Sequence, residues 1–287
     1  MENASLEVTM PAGTDIELLA LHLKTGTEVF LSDVPRRSGK ELIESCARLT
    51  AAGLVPVPHI AVRRLRSART LEQLLAECVE FGGASKAMLI AGDQAEPDGP
   101  FTDVANALRK SDLRRSGIDA VAVAAYPDGH PHVSTETLDQ ALAEKLALLE
   151  EQGLKKQIVS QFGFDSRAIG DWLAGLRHSG NRALVSIGMA GPTTATALMK
   201  FALRCGVRTA ARGLVSDANR IGNLFANQSE RLIGQIAEFA EEPQNLPLNP
   251  HIFTFGGVAK TVRWLNALQV GRFAIIDGAI RFDATTG

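Results

Sequence analysis

Short apolar segments, each ending at a polar residue and each followed by a helical pattern, recur along this chain. The polar residues at these ends include Glu7, Ser32, His59, Asp93, Tyr126 and Gln161. Alternation of a buried strand with an amphipathic helix is typical of a parallel sheet covered by helices. When such a sheet closes into a barrel, the carboxyl ends of its strands share one rim, so residues distant in sequence can meet around a substrate. The pattern therefore favours an enzyme of the α/β class.

The alternation is regular enough to predict individual elements. Strand candidates span residues 6–10, 28–32, 54–62, 86–92, 118–126, 156–161, 182–187 and 251–255. Helical spacing covers residues 14–24, 39–52, 71–81, 102–110, 135–152, 166–179 and 193–204. Residues 214–242 predict one or two further helices. For a chain of 287 residues, this order predicts a single domain, 1–287, folded as a (β/α)8 TIM-type barrel with extra helices before the last strand.

A doubly wound open sheet is the main alternative to the barrel. Its dinucleotide-binding form carries a Gly-x-Gly-x-x-Gly motif directly after the first strand. No such motif follows the first strand here, and the pair Gly82-Gly83 precedes a strand instead. The barrel is therefore the preferred prediction.

The composition argues against several classes of function. A net charge of -2 and a pI near 6.3 provide no basic surface for a phosphate backbone, so we expect no nucleic-acid partner. Cys46, Cys78 and Cys205 are an odd, scattered set without Cys-x-x-Cys spacing, which is typical of reduced thiols. No segment approaches the roughly 20 apolar residues of a membrane span, and the first residues do not resemble a signal sequence. We therefore expect a cytoplasmic protein with no membrane partner.

Glu7 is the first candidate for a catalytic group. It lies in a strand that should be buried on both faces, where an unpaired carboxylate is costly. A position on an edge strand or a salt bridge would explain it as well as catalysis does. If it points into the barrel mouth, partial desolvation would favour its protonated form and equip it as a general acid near neutral pH.

The other strand-end residues also have structural and functional interpretations. Asp93 after Gly92 is either a rim carboxylate or a turn and helix-capping aspartate, and His59 is either a ligand contact or a hydrogen-bonded core histidine. Tyr126 opens a loop that brings together an aromatic ring and two imidazoles, a composition typical of binding loops. The neutral amide of Gln161 suits hydrogen bonding to the edge of a heterocycle better than proton transfer.

Several of these strings resemble the methylenetetrahydrofolate reductase family in order and rough spacing. The resemblance covers about residues 6–268, and its most specific element is Ala-Ala-Tyr-Pro-x-x-His-Pro within residues 123–131. The matching strings are PHIA at 58–61, LIAGD at 89–93, VAAYPDGHP at 123–131, VSQF at 159–162 and HIFTFGG at 251–257.

The resemblance implies a (β/α)8 barrel that passes a hydride from NADH or NADPH to bound FAD, and from the flavin to 5,10-methylenetetrahydrofolate, giving 5-methyltetrahydrofolate. By this similarity, Glu7 is the general acid that assists opening of the folate ring. Asp93 lies beside the pterin and the flavin N1 edge and serves both catalysis and folate binding, while Gln161 hydrogen-bonds folate. The resemblance also implies a homo-oligomer. The positions matching FAD contacts are Ser32, His59, Ala124, Tyr126 and His130.

The chain departs from the family pattern where cationic and aromatic groups are expected. Ala91 replaces an arginine of the fourth strand end. Leu149 replaces a lysine of the helix after His130, and Lys145 lies one turn earlier. An expected aromatic residue aligns roughly with Ala195. A group of arginines just after His59 could compensate for the missing cations, namely Arg63, Arg64 and Arg66.

Three functional hypotheses follow. The first is a flavin-dependent reductase of this family, working in either direction. The second is a flavin-independent reductase in which NAD(P)H donates directly to folate, and the departures at Ala91 and Leu149 favour it. The third is a metal-dependent hydrolase or lyase, although Pro127, Gly129 and Pro131 make the metal-binding geometry of its imidazoles doubtful. Its ligands would be His59, Asp93, His130 and His132.

Overall fold

Eight parallel strands form a closed barrel in the order of the sequence. The computed structural model describes residues 3–34, 38–130, 133–163, 165–204, 228–243, 247–276 and 279–282. The barrel strands are β1 (Ser5–Val8), β2 (Glu28–Leu31), β3 (Val55–Ala61), β4 (Lys86–Ile90), β5 (Ala120–Ala125), β6 (Lys155–Ser160), β7 (Leu184–Ala190) and β8 (Leu248–Phe253). The predicted (β/α)8 barrel is confirmed.

Helices alternate with these strands, and several begin at a side chain that accepts a hydrogen bond from the first turn. The helices are α1 (Gly13–His22), α2 (Gly39–Ala51), α3 (Ala68–Glu80), α4 (Val104–Lys110), α5 (Thr135–Glu151), α6 (Ser166–His178), α7 (Ala195–Arg204), α8 (Gln228–Glu241) and α9 (Val258–Gln269). The caps are Ser38 before α2, Ser67 before α3, Asp103 before α4 and Asp165 before α6. Such caps satisfy backbone N–H groups that have no partner within the helix.

The predicted elements agree with the structure to within a few residues, with three differences. The predicted extra helical region lies partly outside the described residues, because 205–227 is not described, and α8 occupies its described part. The helix α9 was not predicted from the sequence, and its buried face includes Val262 and Leu265. The antiparallel hairpin of β9 (Phe273–Ile276) and β10 (Ala279–Phe282) was not predicted either.

The chain divides into two compact units. The first unit comprises Ser5–Ala124 and Asp139–Ile158. The second comprises Met1–Ala4, Ala125–Leu138 and Val159–Gly287. The expectation of one domain stays a prediction.

The first unit contains β1 to β4 in regular parallel register. Glu7 pairs with Phe30 between β1 and β2, and Phe30 pairs with Val57 between β2 and β3. The neighbouring residues Leu6 and Leu31 are fully buried. This register fixes which side chains of adjacent strands lie next to one another.

The same unit carries a polar network that involves the first residues of β2 and β4. Lys86 forms an ion pair with Glu28 and donates a hydrogen bond of 2.5 Å to Gln157 Oε1. Gln157 is only 2% exposed. A buried ammonium group is tolerated when a carboxylate and an amide oxygen satisfy it in this way.

The second unit contains β7 and β8, which pair from Val185 with Leu248 to Ala190 with Phe253. Beside the ends of these strands lies an apolar cluster in which the rings of Phe253 and Phe255 are stacked with centroids 5.4 Å apart. Phe201 of α7 stacks on Phe255 at 4.2 Å. Packed aromatic rings of this kind bury a large apolar area.

Candidate active site

The side chain of Glu7, on β1, meets Ser32 and His59. The Ser32 hydroxyl donates a hydrogen bond of 2.7 Å to Glu7 Oε1. His59 Nε2 lies 3.7 Å from Glu7 Oε2. The side chains of Glu7 and His59 are only 15% and 6% exposed, so both groups are largely removed from water.

The strand register places these three residues together. Ser32 follows β2, and its backbone N–H donates to Val8 O at 3.0 Å, which extends the ladder between β1 and β2. His59 lies on β3, one residue beyond the pairing of Leu31 with Pro58. Residues on three successive strands thus converge, although they are far apart in sequence.

Neighbouring contacts restrict the side chains of this cluster. Thr9 Oγ1 donates a hydrogen bond of 3.2 Å to the Ser32 hydroxyl oxygen. Phe30 contacts the His59 ring edge to face, with centroids 5.9 Å apart and an angle of 84° between the rings. These contacts favour one orientation of each group around the Glu7 carboxyl.

The arrangement is chemically suited to proton transfer. One carboxyl oxygen of Glu7 is fixed by a hydroxyl donor, and the other faces an imidazole at a distance longer than a hydrogen bond. A partly buried carboxyl group of this kind can act as a general acid or base if a substrate reaches its second oxygen.

Two of the three arginines after His59 are engaged by the protein itself. Arg64 forms an ion pair with Asp33, which follows β2. Arg63 donates a hydrogen bond of 2.5 Å from Nη2 to Ala95 O. Of the three arginines proposed to replace missing cations, only Arg66 is exposed.

Asp93 is exposed on the loop that follows β4. Gly92 before it has a φ of 96°, and a Cβ at that position would lie 3.1 Å from Ala61 Cβ. The loop is tied down by Gln94, which donates a hydrogen bond of 2.7 Å to Arg63 O. The glycine therefore serves both the turn and the close approach to β3, and Asp93 lies on an anchored loop.

Lys145 of α5 reaches the end of β5. Its Nζ donates a hydrogen bond of 3.2 Å to the carbonyl of Ala124, a position that the resemblance assigns to FAD. Burial lowers the pKa of Lys145 to about 8, and attraction to Asp103 opposes part of that change. Leu149, where the family pattern has its lysine, is fully buried. From the sequence, Lys145 is only a lysine displaced by one turn, because its contact with β5 depends on how α5 packs.

In the second unit, Tyr126 and His130 form their own contact. Their rings meet edge to face with centroids 5.4 Å apart. The turn between them is closed by Gly129 N–H, which donates to Tyr126 O at 2.8 Å. Gln161 follows β6 and is half-buried, and its side-chain oxygen accepts a hydrogen bond of 3.0 Å from Phe162 N–H.

The structure thus brings Glu7, Ser32 and His59 together, and separately Tyr126 and His130. Within the described ranges, no three side chains of His, Cys, Asp and Glu gather as a metal site requires. His132, one of the proposed metal ligands, lies outside the described residues.

No family model matches this chain. Dihydropteroate synthase from Thermus thermophilus is similar in structure, with a TM-score of 0.49, 13% identity, and coverage of 94% of this chain and 93% of that chain. A conserved protein of unknown function from Enterococcus faecalis has a TM-score of 0.47 and 9% identity, and the match covers 94% of this chain and 66% of that chain. D-psicose 3-epimerase from Clostridium cellulolyticum H10 has a TM-score of 0.44 and 11% identity, over 99% of this chain and 93% of that chain.

The assignment of the barrel rests on the order of the strands in this chain. Among the helices in the described part of the chain, none combines the length and apolar composition that a membrane crossing needs.

Proposed function

We propose that this protein is an oxidoreductase that interconverts 5,10-methylenetetrahydrofolate and 5-methyltetrahydrofolate, as in the family that its sequence resembles. NADH or NADPH is the hydride donor, and FAD is the bound cofactor. The observation that carries the proposal is the Glu7 carboxyl, held by Ser32 and facing His59 on the first strands of the barrel. A largely buried acid is what the folate chemistry requires.

Glu7 supplies the proton that opens the five-membered ring of the folate. The bond between the bridging carbon and one ring nitrogen breaks, its electron pair stays on the nitrogen, and the nitrogen takes the proton. The carbon that remains is an iminium carbon, which accepts a hydride and becomes the methyl group. Because Ser32 donates to Oε1, the transferable proton belongs on Oε2, the oxygen nearer to His59.

Some of the residues that the resemblance assigns to FAD remain suited to bind a flavin, and others have a different role. FAD, when bound, supplies the two-electron chemistry that links nicotinamide and folate. Ala124, Tyr126 and His130 keep the contact roles that the resemblance implies. The loss of a lysine at Leu149 is offset because Lys145 brings an amine to the Ala124 carbonyl. Ser32 and His59 contact Glu7, so their main role is to hold the acid.

Glu7→Gln tests the role of the acid. The glutamine keeps an oxygen that can accept from Ser32, but it has no proton to give. We expect conversion of 5,10-methylenetetrahydrofolate to fall by about 100-fold or more, the usual scale of general acid catalysis. With FAD present, oxidation of NAD(P)H by a quinone acceptor should stay at the wild-type level, because that reaction needs no acid at this position.

Glu44→Gln, at an exposed position of α2, is the matched control and should leave both reactions unchanged. Circular dichroism of both variants checks that the fold is intact. Wild-type folate turnover in Glu7→Gln would remove Glu7 from the mechanism.

Direct hydride transfer from NAD(P)H to folate is the second candidate, and it is favoured because Ala91 and Leu149 stand where the family pattern has two cations. Glu7 keeps the same role in this reaction. Nicotinamide labelled with deuterium at C4 distinguishes the two routes. Direct transfer delivers the label to the methyl group, whereas passage through a flavin exposes it to exchange with water.

A further inference from the structure

A chain of hydrogen bonds links the carboxyl group of Glu7 to the surface of the first unit. Thr9 Oγ1 donates to Ser32 Oγ at 3.2 Å, and Ser32 Oγ donates to Glu7 Oε1 at 2.7 Å. Exposure increases along this chain, because the Glu7 side chain is 15% exposed, Ser32 is half-buried and Thr9 is exposed. Both hydroxyl groups therefore donate in the direction of the carboxyl group, and the outer one lies at the surface.

The proposed reaction removes a proton from Glu7 in every turnover, and that proton has to be replaced. A folate nitrogen that takes the proton from Oε2 lies against that oxygen, so bound folate keeps water from it. His59 is close to the same oxygen, but it is only 6% exposed and its Nε2 lies 3.7 Å away, beyond hydrogen-bond distance. The chain of hydroxyl groups instead reaches the other oxygen, Oε1.

We propose that Thr9 and Ser32 relay protons from the solvent to Glu7. This inference rests on the proposed function, since it takes Glu7 to be the acid of that reaction. The bond between the Ser32 oxygen and its proton breaks as Glu7 Oε1 binds that proton. Thr9 gives its own proton to the Ser32 oxygen, and a hydronium ion or water molecule gives one to Thr9. Both hydroxyl groups end unchanged, and one proton has passed from the solvent to Glu7.

The geometry also allows the relay to repeat. Rotation of the Glu7 carboxyl group by half a turn brings the newly bound proton to the side that faces the folate. The Ser32 hydroxyl lies 3.3 Å from the carbonyl oxygen of Val8, which offers it a second acceptor while it turns to receive the next proton. Thr9 acts only through Ser32, so it is a positioning residue that holds and passes on the proton.

The test compares Thr9→Val with Thr9→Ser. Valine keeps the branched shape of threonine but has no hydroxyl group, whereas serine keeps the hydroxyl group. We expect kcat for conversion of 5,10-methylenetetrahydrofolate to fall about 10-fold or more in Thr9→Val, because delivery of the proton becomes slow. The KM for folate should not change, and Thr9→Ser should keep most of the wild-type kcat.

Two readouts distinguish a proton relay from a structural role of Thr9. The defect of Thr9→Val should shrink at acidic pH, where Glu7 is protonated in more of the molecules before folate binds. Imidazole, added as a small proton donor, should raise kcat of Thr9→Val and leave the wild type unchanged. Titratable groups nearby also respond to pH, namely His59 facing Glu7 and Asp33 paired with Arg64. Because both proteins contain them, the ratio of the two rates removes their effect.

Thr14→Val is the matched control. Thr14 is an exposed threonine in the first turn of α1, outside the chain of hydrogen bonds. Its replacement should leave kcat unchanged at every pH. A wild-type kcat in Thr9→Val would overturn the relay. A loss that is equal at every pH and does not respond to imidazole would also overturn it, because Thr9 would then only support the structure around Ser32.

The result can be separated from the fate of the proposed function. Folate conversion that depends on Glu7 but not on the hydroxyl group of Thr9 would overturn the relay and leave the proposed reaction intact. A wild-type protein that converts no folate would overturn the proposed function, and the relay with it.

Discussion

At the scale of single residues, the role proposed for the Glu7 carboxyl depends on the side chains that contact it. The sequence placed Glu7, Ser32 and His59 at or near strand ends, but it assigned Ser32 and His59 to the cofactor. The structure adds that both residues lie against Glu7. That contact could not be read from sequence, because it depends on the pairing register of β1, β2 and β3.

Removing the Ser32 hydroxyl should affect the acid directly. Ser32→Ala deletes the 2.7 Å hydrogen bond to Glu7 Oε1. We expect kcat for folate conversion to fall by about 10- to 100-fold, since a hydrogen bond to an ionisable group contributes about 1.5–3 kcal/mol. The KM for folate should change little, and Ser32→Thr should restore kcat. A variant that loses flavin affinity at unchanged kcat would show that Ser32 serves the cofactor instead.

Lys145 should make the stability of the protein depend on pH. Its pKa is lowered from 10.5 to about 8, chiefly by burial. Between these two values the unfolded chain binds more protons than the folded one, so the free energy of unfolding rises with pH. The cost of burying the charge is therefore fully present below pH 8 and fades as the pH approaches 10.5.

Lys145→Met removes that cost. At pH 7 the variant should unfold with a free energy about 1–3 kcal/mol higher than the wild type, using about 1.4 kcal/mol per pKa unit. The difference should shrink when urea unfolding is repeated above pH 8. A difference that stays constant up to pH 10.5 would contradict a charged, buried Lys145.

At the scale of elements, apolar runs and helical spacing were sufficient to predict all eight barrel strands and most helices. These signals are local, and each buried strand of a parallel sheet shows them by itself. The helix α9 was missed although its apolar face is clear, because the predicted alternation ended at the eighth strand. The hairpin of β9 and β10 was missed too, because two short strands give a weak pattern.

Close packing between strands gives a test at this scale. A Cβ on Gly188 of β7 would lie 2.8 Å from Phe253 Cε2 and 2.9 Å from the carbonyl carbon of Gln161. Gly188→Ala should therefore lower the free energy of unfolding by about 1–3 kcal/mol, the usual cost of overpacking a core. Thermal or urea unfolding measures the change.

Gly175→Ala is the matched control for that substitution. Gly175 lies within α6, and nothing stands within 4 Å of the Cβ that alanine would add. Alanine should stabilise this helix by up to about 1 kcal/mol. Equal effects at positions 188 and 175 would contradict the close approach of β7 to Phe253.

At the scale of the whole molecule, the sequence predicted the architecture better than the chemistry. Composition and periodicity indicate which strands and helix faces are buried, and these buried segments determine the barrel fold. The ion pairs of Lys86 with Glu28 and of Arg64 with Asp33 join residues on different strands or loops, so they exist only once the fold brings them together. The proposed reaction depends on a contact of the same kind, between the Glu7 carboxyl and its neighbours on β2 and β3.

The most direct test of the proposed reaction is the conversion of 5,10-methylenetetrahydrofolate by the purified wild-type protein. The protein is incubated without oxygen with added FAD and either NADH or NADPH, and the folates are identified by mass spectrometry. We predict formation of 5-methyltetrahydrofolate matched by oxidation of the nicotinamide, and loss of this product in Glu7→Gln. If a folded protein forms no 5-methyltetrahydrofolate with either nicotinamide, with or without FAD, the proposed reaction is wrong.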